Sequence, residues 1–310
     1  MDKPFTEDSV PDQSGRTILV TGANTGIGYE AARVLAERGA RVLIGCRSAQ
    51  RAEAARQRIM EKPVKGDVIF LPLDLASLES IRKAASQVRA GGRLDVLINN
   101  AGVMSIPERT ETEDGFEMQF GINHLGHFAL TGLLLDLLRS SQDARVVTVS
   151  SAAHRGGKID FDDLQATKHY DRMERYGMSK LANALFTTEL QRRLSAAGDS
   201  VLSLACHPGF AHSELTREFS GTIGLRLLKL FMPFQSAAGG ALPTLRAAVD
   251  QDAKGAHYYG PSKRFQTVGP PIVAELAEVA HNPEMARILW ERSIEATGID
   301  PGLPPVRLEV

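Results

Sequence analysis

Short β-branched runs and longer amphipathic stretches take turns along this chain from Thr17 onward. TILVT is followed by a helical run from Ile27 to Arg38, RVLIG by one from Ala49 to Met60, and VIFLPL (Val68 to Leu73) by one from Leu78 to Val88. LDVLIN, a long run from Phe116 to Leu138, RVVTV, a helical run from Glu174 to Ala197 and SVLSLAC continue the series to a sixth strand. Strands that are almost wholly apolar are buried on both faces, and the helical runs between them are the crossovers that parallel strands require. The alternation therefore predicts an α/β fold, a Rossmann-type doubly wound parallel sheet in a single domain.

No repeat or low-complexity linker interrupts the rhythm, so the domain is expected to span residues 16–310. The acidic, proline-containing residues 1–15 read as a flexible N-terminal arm without the basic and apolar regions of a secretory signal. Two segments, 152–172 and 210–235, break the pattern after a strand. Ligands of doubly wound sheets sit beyond the carboxyl ends of the strands, so both insertions are candidate walls of a substrate pocket. The second contains GLRLLKLFMPF, apolar at Leu225, Leu227, Leu228, Leu230 and Phe231. That stretch suits a lid over a hydrophobic substrate, packing on the domain, a contact in a homo-oligomer, or a membrane-surface contact.

Composition narrows the function. Lys+Arg 36 against Asp+Glu 37 gives a net charge of -1, which argues against a nucleic-acid partner. Cys46 and Cys206 are the two cysteines, and neither lies at metal-ligand spacing. No disulfide framework or zinc site is expected, and a reducing, cytoplasmic setting fits. Histidines 124, 127, 154, 169, 207 and 212 likewise form no ligand tetrad, so no metal is expected. The longest apolar stretch, Phe128 to Leu138, is broken by Asp136 and falls short of the ~20 residues that span a bilayer.

The chemistry lies at strand ends. TGANTGIG, between TILVT and a helix, carries Gly22, Gly26 and Gly28, which let backbone turn tightly and approach a pyrophosphate at a helix N-terminus; Thr25 and Ile27 belong to the same cofactor loop. The second strand ends in GCRS, where NAD-specific proteins place a carboxylate for the ribose hydroxyls. Cys46 occupies that place and Arg47 follows it, and a guanidinium suits a 2′-phosphate, so NADP(H) is expected over NAD(H). Asp74 and Leu75 end the third strand, where Asp74 can meet the adenine once Ser77 takes the helix cap. NNAG ends the fourth, with Asn100, Ala101 and Gly102 allowing close approach to a ligand. In YGMSK, Tyr176 and Lys180 share a helix face, and an ammonium beside a phenol favours the phenolate. On the wheel Tyr176, Lys180, Asn183 and Thr187 form one polar stripe, which by itself reads as a solvated face.

With TGANTGIG, NNAG, the pair Ser150–Ser151 and YGMSK in this order, and HPGFAHSEL after the sixth strand, the chain resembles the short-chain dehydrogenase/reductase family. NHLGHF and SSAAHRGGKIDFDDL are most similar to its retinol-dehydrogenase-like branch. The resemblance implies that Tyr176 is the acid/base and that Lys180 holds the nicotinamide ribose and lowers the tyrosine pKa. It implies further that Ser151 bonds the substrate oxygen, that Asn123 holds a water in a proton relay, and that Pro208 and Gly209 lie alongside the nicotinamide. Strand alternation allows only one of Ser150 and Ser151 to face the pocket without saying which. The implied activity is NADP(H)-dependent exchange of a hydride with a carbonyl or alcohol of a hydrophobic small molecule. An NAD-dependent alcohol dehydrogenase is the alternative, and a non-catalytic NADPH-binding regulator is disfavoured by the intact Asn123, Ser151, Tyr176 and Lys180. A membrane retinoid role is not expected, because MDKPFTEDSVPDQSG lacks the apolar anchor of membrane-bound relatives.

Overall fold

β1 (Thr17–Thr21) is buried at every position, as a strand must be when helices cover both faces of its sheet. It pairs in parallel with β2 (Arg41–Cys46) on one side and β4 (Val96–Asn99) on the other. β3 (Asp67–Pro72), β5 (Arg145–Val149) and β6 (Leu202–Cys206) extend the sheet outward. This arrangement comes from a computed structural model, which describes residues 3–211 and 234–306. The strand order is β3-β2-β1-β4-β5-β6-β7-β8. Its direction reverses between β1 and β4, and that switch point opens a crevice at the strands' carboxyl ends.

Two apolar layers hold the sheet. On one face β1, β2 and β4 pack against α1 (Gly26–Glu37), α2 (Ala49–Met60) and α6 (Ala237–Val249) through Leu35, Ile59 and Leu245. On the other lie α3 (Leu78–Ala90), α4 (Gly126–Arg139) and α5 (Arg172–Ala196), with Phe128, Leu134 and Phe186 in the core. A third cluster joins α5 to α7 (Pro283–Thr297) through Leu185 and Leu289. α5 starts two residues before the expected Glu174, because the Asp171 carboxylate caps the N–H groups of Met173 and Glu174 at 2.8 and 2.9 Å. The long run expected over 116–138 is not uniform: a π-helical turn over Gly121–Leu125 precedes α4 and carries Asn123.

Two larger features depart from the sequence reading. The parallel series does not stop at β6: β7 (Tyr258–Lys263) joins it, and antiparallel β8 (Val268–Ala274) closes the edge. Their sequences, YYGPSK and VGPPIVA, hide this because Gly and Pro interrupt the β pattern, a liberty the outermost strands of a sheet have. Residues 3–15 are also not a loose arm. Val10 is 1% exposed, Glu7 pairs with Arg33 at 2.9 Å, and Arg38 donates to the Glu7 carbonyl at 3.1 Å. The acidity that suggested looseness helps dock the segment on Arg33 of α1 and on Arg38 just after it.

The insertion at 152–172 is firmly folded. The Asp163 carboxylate accepts the N–H groups of Thr167, Lys168 and His169 and the Thr167 hydroxyl. Burial raises its pKa, but these donors outweigh burial and hold it at about 2. Tyr170 donates to the Ile106 carbonyl at 2.8 Å, and Arg175 donates to the Leu164 carbonyl, so the insertion is braced beside α5. The apolar stretch expected as a lid or subunit contact falls, but for its last residue Phe234, within 212–233, outside the described residues, as does His212. No helix among the described residues is long and apolar enough to cross a membrane.

Candidate active site

The crevice at the switch point begins with the glycine loop. Gly22 has φ +68, and a Cβ there would stand 2.9 Å from the Ala101 Cα, so the β1 turn and the NNAG loop can lie together only with glycine. At Gly28 a Cβ would meet the Asn100 Nδ2 at 2.4 Å. This third glycine therefore serves the fit of α1 against the β4 loop. Thr25 makes no side-chain bond to the first N–H groups of α1, which begins at Gly26 and Ile27, so these donors have no side-chain cap. Oriented amides at a helix start and a cradle that side chains would fill suit the pyrophosphate of a dinucleotide.

Arg47 is exposed at the end of β2, just before Ser48 caps α2 by accepting from the Arg51 N–H at 3.3 Å. Ser77 caps α3, as expected, and leaves Asp74 to a local turn in which its Oδ1 accepts from the Ala76 N–H at 2.9 Å. The Leu75 side chain lies in the core beside α3 and α4, so it offers the crevice no side-chain contact. Asn100 spends its amide on the Thr21 carbonyl at 2.8 Å and acts as a brace of the loop. Gly102 lies against the catalytic candidates: a Cβ there would be 3.2 Å from the Asn123 Oδ1 and 3.5 Å from the Lys180 Nζ. Pro208 and Gly209 follow β6, half-buried, with the Pro208 carbonyl accepting from Gln235 at 2.6 Å.

The two serines are now distinguished. Ser150 is buried and its hydroxyl donates to the Lys180 carbonyl at 2.8 Å, which ties β5 to α5. Ser151 is half-buried at the strand end, and its hydroxyl lies against the Tyr176 phenol, favouring the ionised form. His154 fixes the Ser151 backbone. The Ala277 N–H donates to the His154 Nε2 at 3.0 Å, so the ring proton sits on Nδ1 and is donated to the Ser151 carbonyl at 2.6 Å.

The polar stripe of α5 is not a solvated face. Tyr176, Lys180, Asn183 and Thr187 are all buried. Lys180 Nζ and Asn183 Nδ2 donate to the Val149 carbonyl at 3.1 and 3.3 Å. Lys180 Nζ lies 5.7 Å from the centre of the Tyr176 ring. The expected depression of the tyrosine pKa is not what this geometry gives. Burial raises the Tyr176 pKa and Ser151 only partly opposes it, while burial pushes Lys180 down to about 8. Desolvation disfavours both charged forms, because both side chains are buried. At neutral pH the arrangement is a neutral phenol donor beside a lysine that is still mostly protonated.

Asn123 completes the cluster from the π turn. Its Nδ2 donates to the Val103 carbonyl and the Ser179 Oγ, both at 2.9 Å, and its Oδ1 accepts from the Val103 N–H at 2.8 Å. Ser179 in turn donates to the Tyr176 carbonyl at 2.8 Å. Ser179 is a supporting residue that the sequence reading did not single out, and His154 and His127 are supporting residues that it weighed only as metal ligands. The available signal was polarity at positions inside otherwise apolar helical runs, as in NHLGHF.

Comparison with known proteins gives this constellation a family. The short chain dehydrogenase model matches residues 16–223. The chain is 44% identical over 289 residues to retinol dehydrogenase 12 of Mus musculus, covering 92% of this chain and 87% of that protein. It is 43% identical over 305 residues to retinol dehydrogenase 13 of Homo sapiens, covering 94% and 87%. Among solved structures, an uncharacterised protein from Mycobacterium paratuberculosis matches with a TM-score of 0.81 and 40% identity over 96% of this chain and 99% of that one. The NADP active-site complex of Pseudomonas aeruginosa RhlG matches with a TM-score of 0.64 and 26% identity over 83% and 96%. The buried Tyr–Lys helix, the glycine cradle and these matches make the chain a member of the short chain dehydrogenase family, an oxidoreductase acting on CH–OH and C=O groups.

Proposed function

We propose that this enzyme reduces a hydrophobic aldehyde or ketone with NADPH, and that the same groups support the reverse oxidation. The observation that carries the reading is the juxtaposition of Ser151 and the buried Tyr176 at the end of β5, with Lys180 and Asn123 beside them. A nicotinamide dinucleotide, when bound, supplies or accepts the hydride. The chain's residues do the rest. Gly22, Gly26 and the first N–H groups of α1 would hold the dinucleotide's pyrophosphate, and Arg47 would pair with a 2′-phosphate. Ser151 and Tyr176 donate hydrogen bonds to the substrate oxygen, where negative charge develops, and Tyr176 gives up its proton as the alkoxide forms. Lys180 stabilises the phenolate left behind, and Asn123 holds the water through which that proton is replaced.

For the substrate, the names of the retinol dehydrogenase relatives support a long apolar alcohol or aldehyde. The buried thiols of Cys46 and Cys206 support a reducing, cytoplasmic setting. A screen of both cofactors against a chain-length series of aldehydes and ketones, including a retinoid aldehyde, tests the reading. No consumption of either cofactor with any carbonyl would reject it.

Arg47 makes the cofactor part of this reading separable. A charge-assisted bond to a phosphate contributes ~1.5–3 kcal/mol, so Arg47→Ala raises KM for NADPH by about 10- to 100-fold and leaves that for NADH nearly unchanged. Equal losses for the two cofactors would remove Arg47 as the discriminating group. Ser151→Ala leaves Tyr176 as the sole hydroxyl donor to the oxyanion, and kcat falls by about 10²-fold with the cofactor's KM held. A change confined to KM for the carbonyl would show that Ser151 only binds substrate.

A further inference from the structure

One buried imidazole joins the dinucleotide loop to the proposed proton relay. His127, on the first turn of α4, is 1% exposed and uses both ring nitrogens. Nε2 lies 2.9 Å from the Thr21 Oγ1, and Nδ1 lies 2.9 Å from the Asn123 carbonyl oxygen. The direction of each bond follows from Thr21. Its hydroxyl oxygen accepts the N–H groups of Asn100 and Ala101, each at 2.9 Å, which uses both lone pairs. Its single proton must therefore be donated, and the His127 Nε2 at 2.9 Å is a better acceptor than the Ile98 carbonyl at 3.4 Å. Nε2 is bare, the ring proton is on Nδ1, and Nδ1 donates to Asn123. Burial, with the nearby Lys180 charge in the same sense, pushes the His127 pKa down to about 4, so the ring keeps this neutral form at working pH.

We propose that His127 is a positioning residue that locks the Thr21 end of the dinucleotide loop and the backbone of Asn123 into one frame, so that cofactor grip and the proton relay keep a common register. The frame runs onward through the Asn123 amide to the Ser179 hydroxyl and the Tyr176 carbonyl. It thus connects the ends of β1 and β4 to the helix that carries the tyrosine. The proposal rests on the function proposed above only for what the relay does; the hydrogen-bond pattern and the cofactor grip stand without it.

The two bonds can be cut separately. His127→Asn keeps a donor at the Nδ1 position and loses the acceptor for Thr21. It should weaken NADPH binding about five- to tenfold, measured by cofactor fluorescence without turnover, and change kcat by less than about threefold. His127→Gln extends an amide toward Thr21 and loses the donor to Asn123; it should hold the NADPH dissociation constant and lower kcat about tenfold. Thr21→Val, which also strips the acceptor from the Asn100 and Ala101 N–H groups, should weaken NADPH at least as much as His127→Asn, and the double variant should be no worse than Thr21→Val alone, because the Thr21–His127 bond is already lost in it. Additive losses, or identical effects of Asn and Gln on both constants, overturn the proposal. A ¹⁵N-histidine NMR spectrum of the wild-type enzyme decides independently of any variant's folding: a neutral Nδ1–H ring near pH 6 is expected, and an Nε2–H or charged ring overturns it. If the wild type binds NADPH but turns over no carbonyl, the functional reading fails, while the binding and NMR results still test the frame.

Discussion

Tyr176→Phe lowers kcat for carbonyl reduction by about 10²–10⁴-fold, the range expected when a positioned general acid is removed, while NADPH binds as before. The separation follows from the geometry. Lys180 is held by the Val149 carbonyl and not by the phenol, so deleting one hydroxyl leaves the lysine, Asn123 and the glycine cradle in place. Since the tyrosine is buried and its pKa raised, it meets the substrate as a neutral donor at pH 7. The same state predicts the pH profile: reduction is supported while Lys180 remains charged, and weakens as pH rises past the lysine's value of about 8. Steady-state kinetics with cofactor fluorescence as the binding control measure both. Residual turnover within tenfold of wild type would move the proton donor to another residue, and parallel loss of NADPH binding would make Tyr176 a cofactor ligand first.

Local pattern carried most of the fold. The strands through β5 are apolar runs with β-branched residues, β6 is a short run of small and apolar residues, and the glycine loop announces itself by its place between a strand and a helix. β7 and β8 were illegible because their pairing, not their composition, makes them strands. The docked N-terminal segment was misread for a related reason: Glu7 is acidic in any context, and only the presence of Arg33 26 positions away turns acidity into an anchor.

At the site, the placement of Tyr176 and Lys180 on one helix face was readable while their electrostatics were not. Charge proximity favours the phenolate, burial opposes it, and sequence spacing holds no information on burial; in the structure burial has the larger effect. The choice between Ser150 and Ser151 likewise needed a partner, the Lys180 carbonyl 30 positions on, to remove one of them. His127 meets Thr21 across 106 positions, a relation that no local motif encodes.

Buried neutral histidines give the second large effect, a steep loss of stability in mild acid. His124 and His207 are pushed down to about 3 and His127 to about 4, in each case chiefly by burial. In the unfolded chain all three titrate near ~6.5. Their folded values lie below that, so protons bind the unfolded state first. Stability from this source is fully present above about pH 6.5 and falls as pH drops through the window down to the folded values. Each histidine contributes about 1.4 kcal/mol per pH unit, so by about pH 4.5 the three remove on the order of 8 kcal/mol. That is comparable to the whole stability of an ordinary domain, roughly 5–15 kcal/mol. Urea midpoints should therefore hold steady from about pH 8 to 7, fall progressively below about 6.5, and approach zero near pH 4 to 5. His124→Asn should reduce the slope by about a third, because its ring no longer takes up a proton on unfolding. A midpoint that stays flat between pH 7 and 5 would mean that these rings are already charged in the folded protein, or that the unfolded chain also shields them. The first possibility conflicts with the tautomer that Thr21 imposes on His127, so titration of the histidine resonances separates the two.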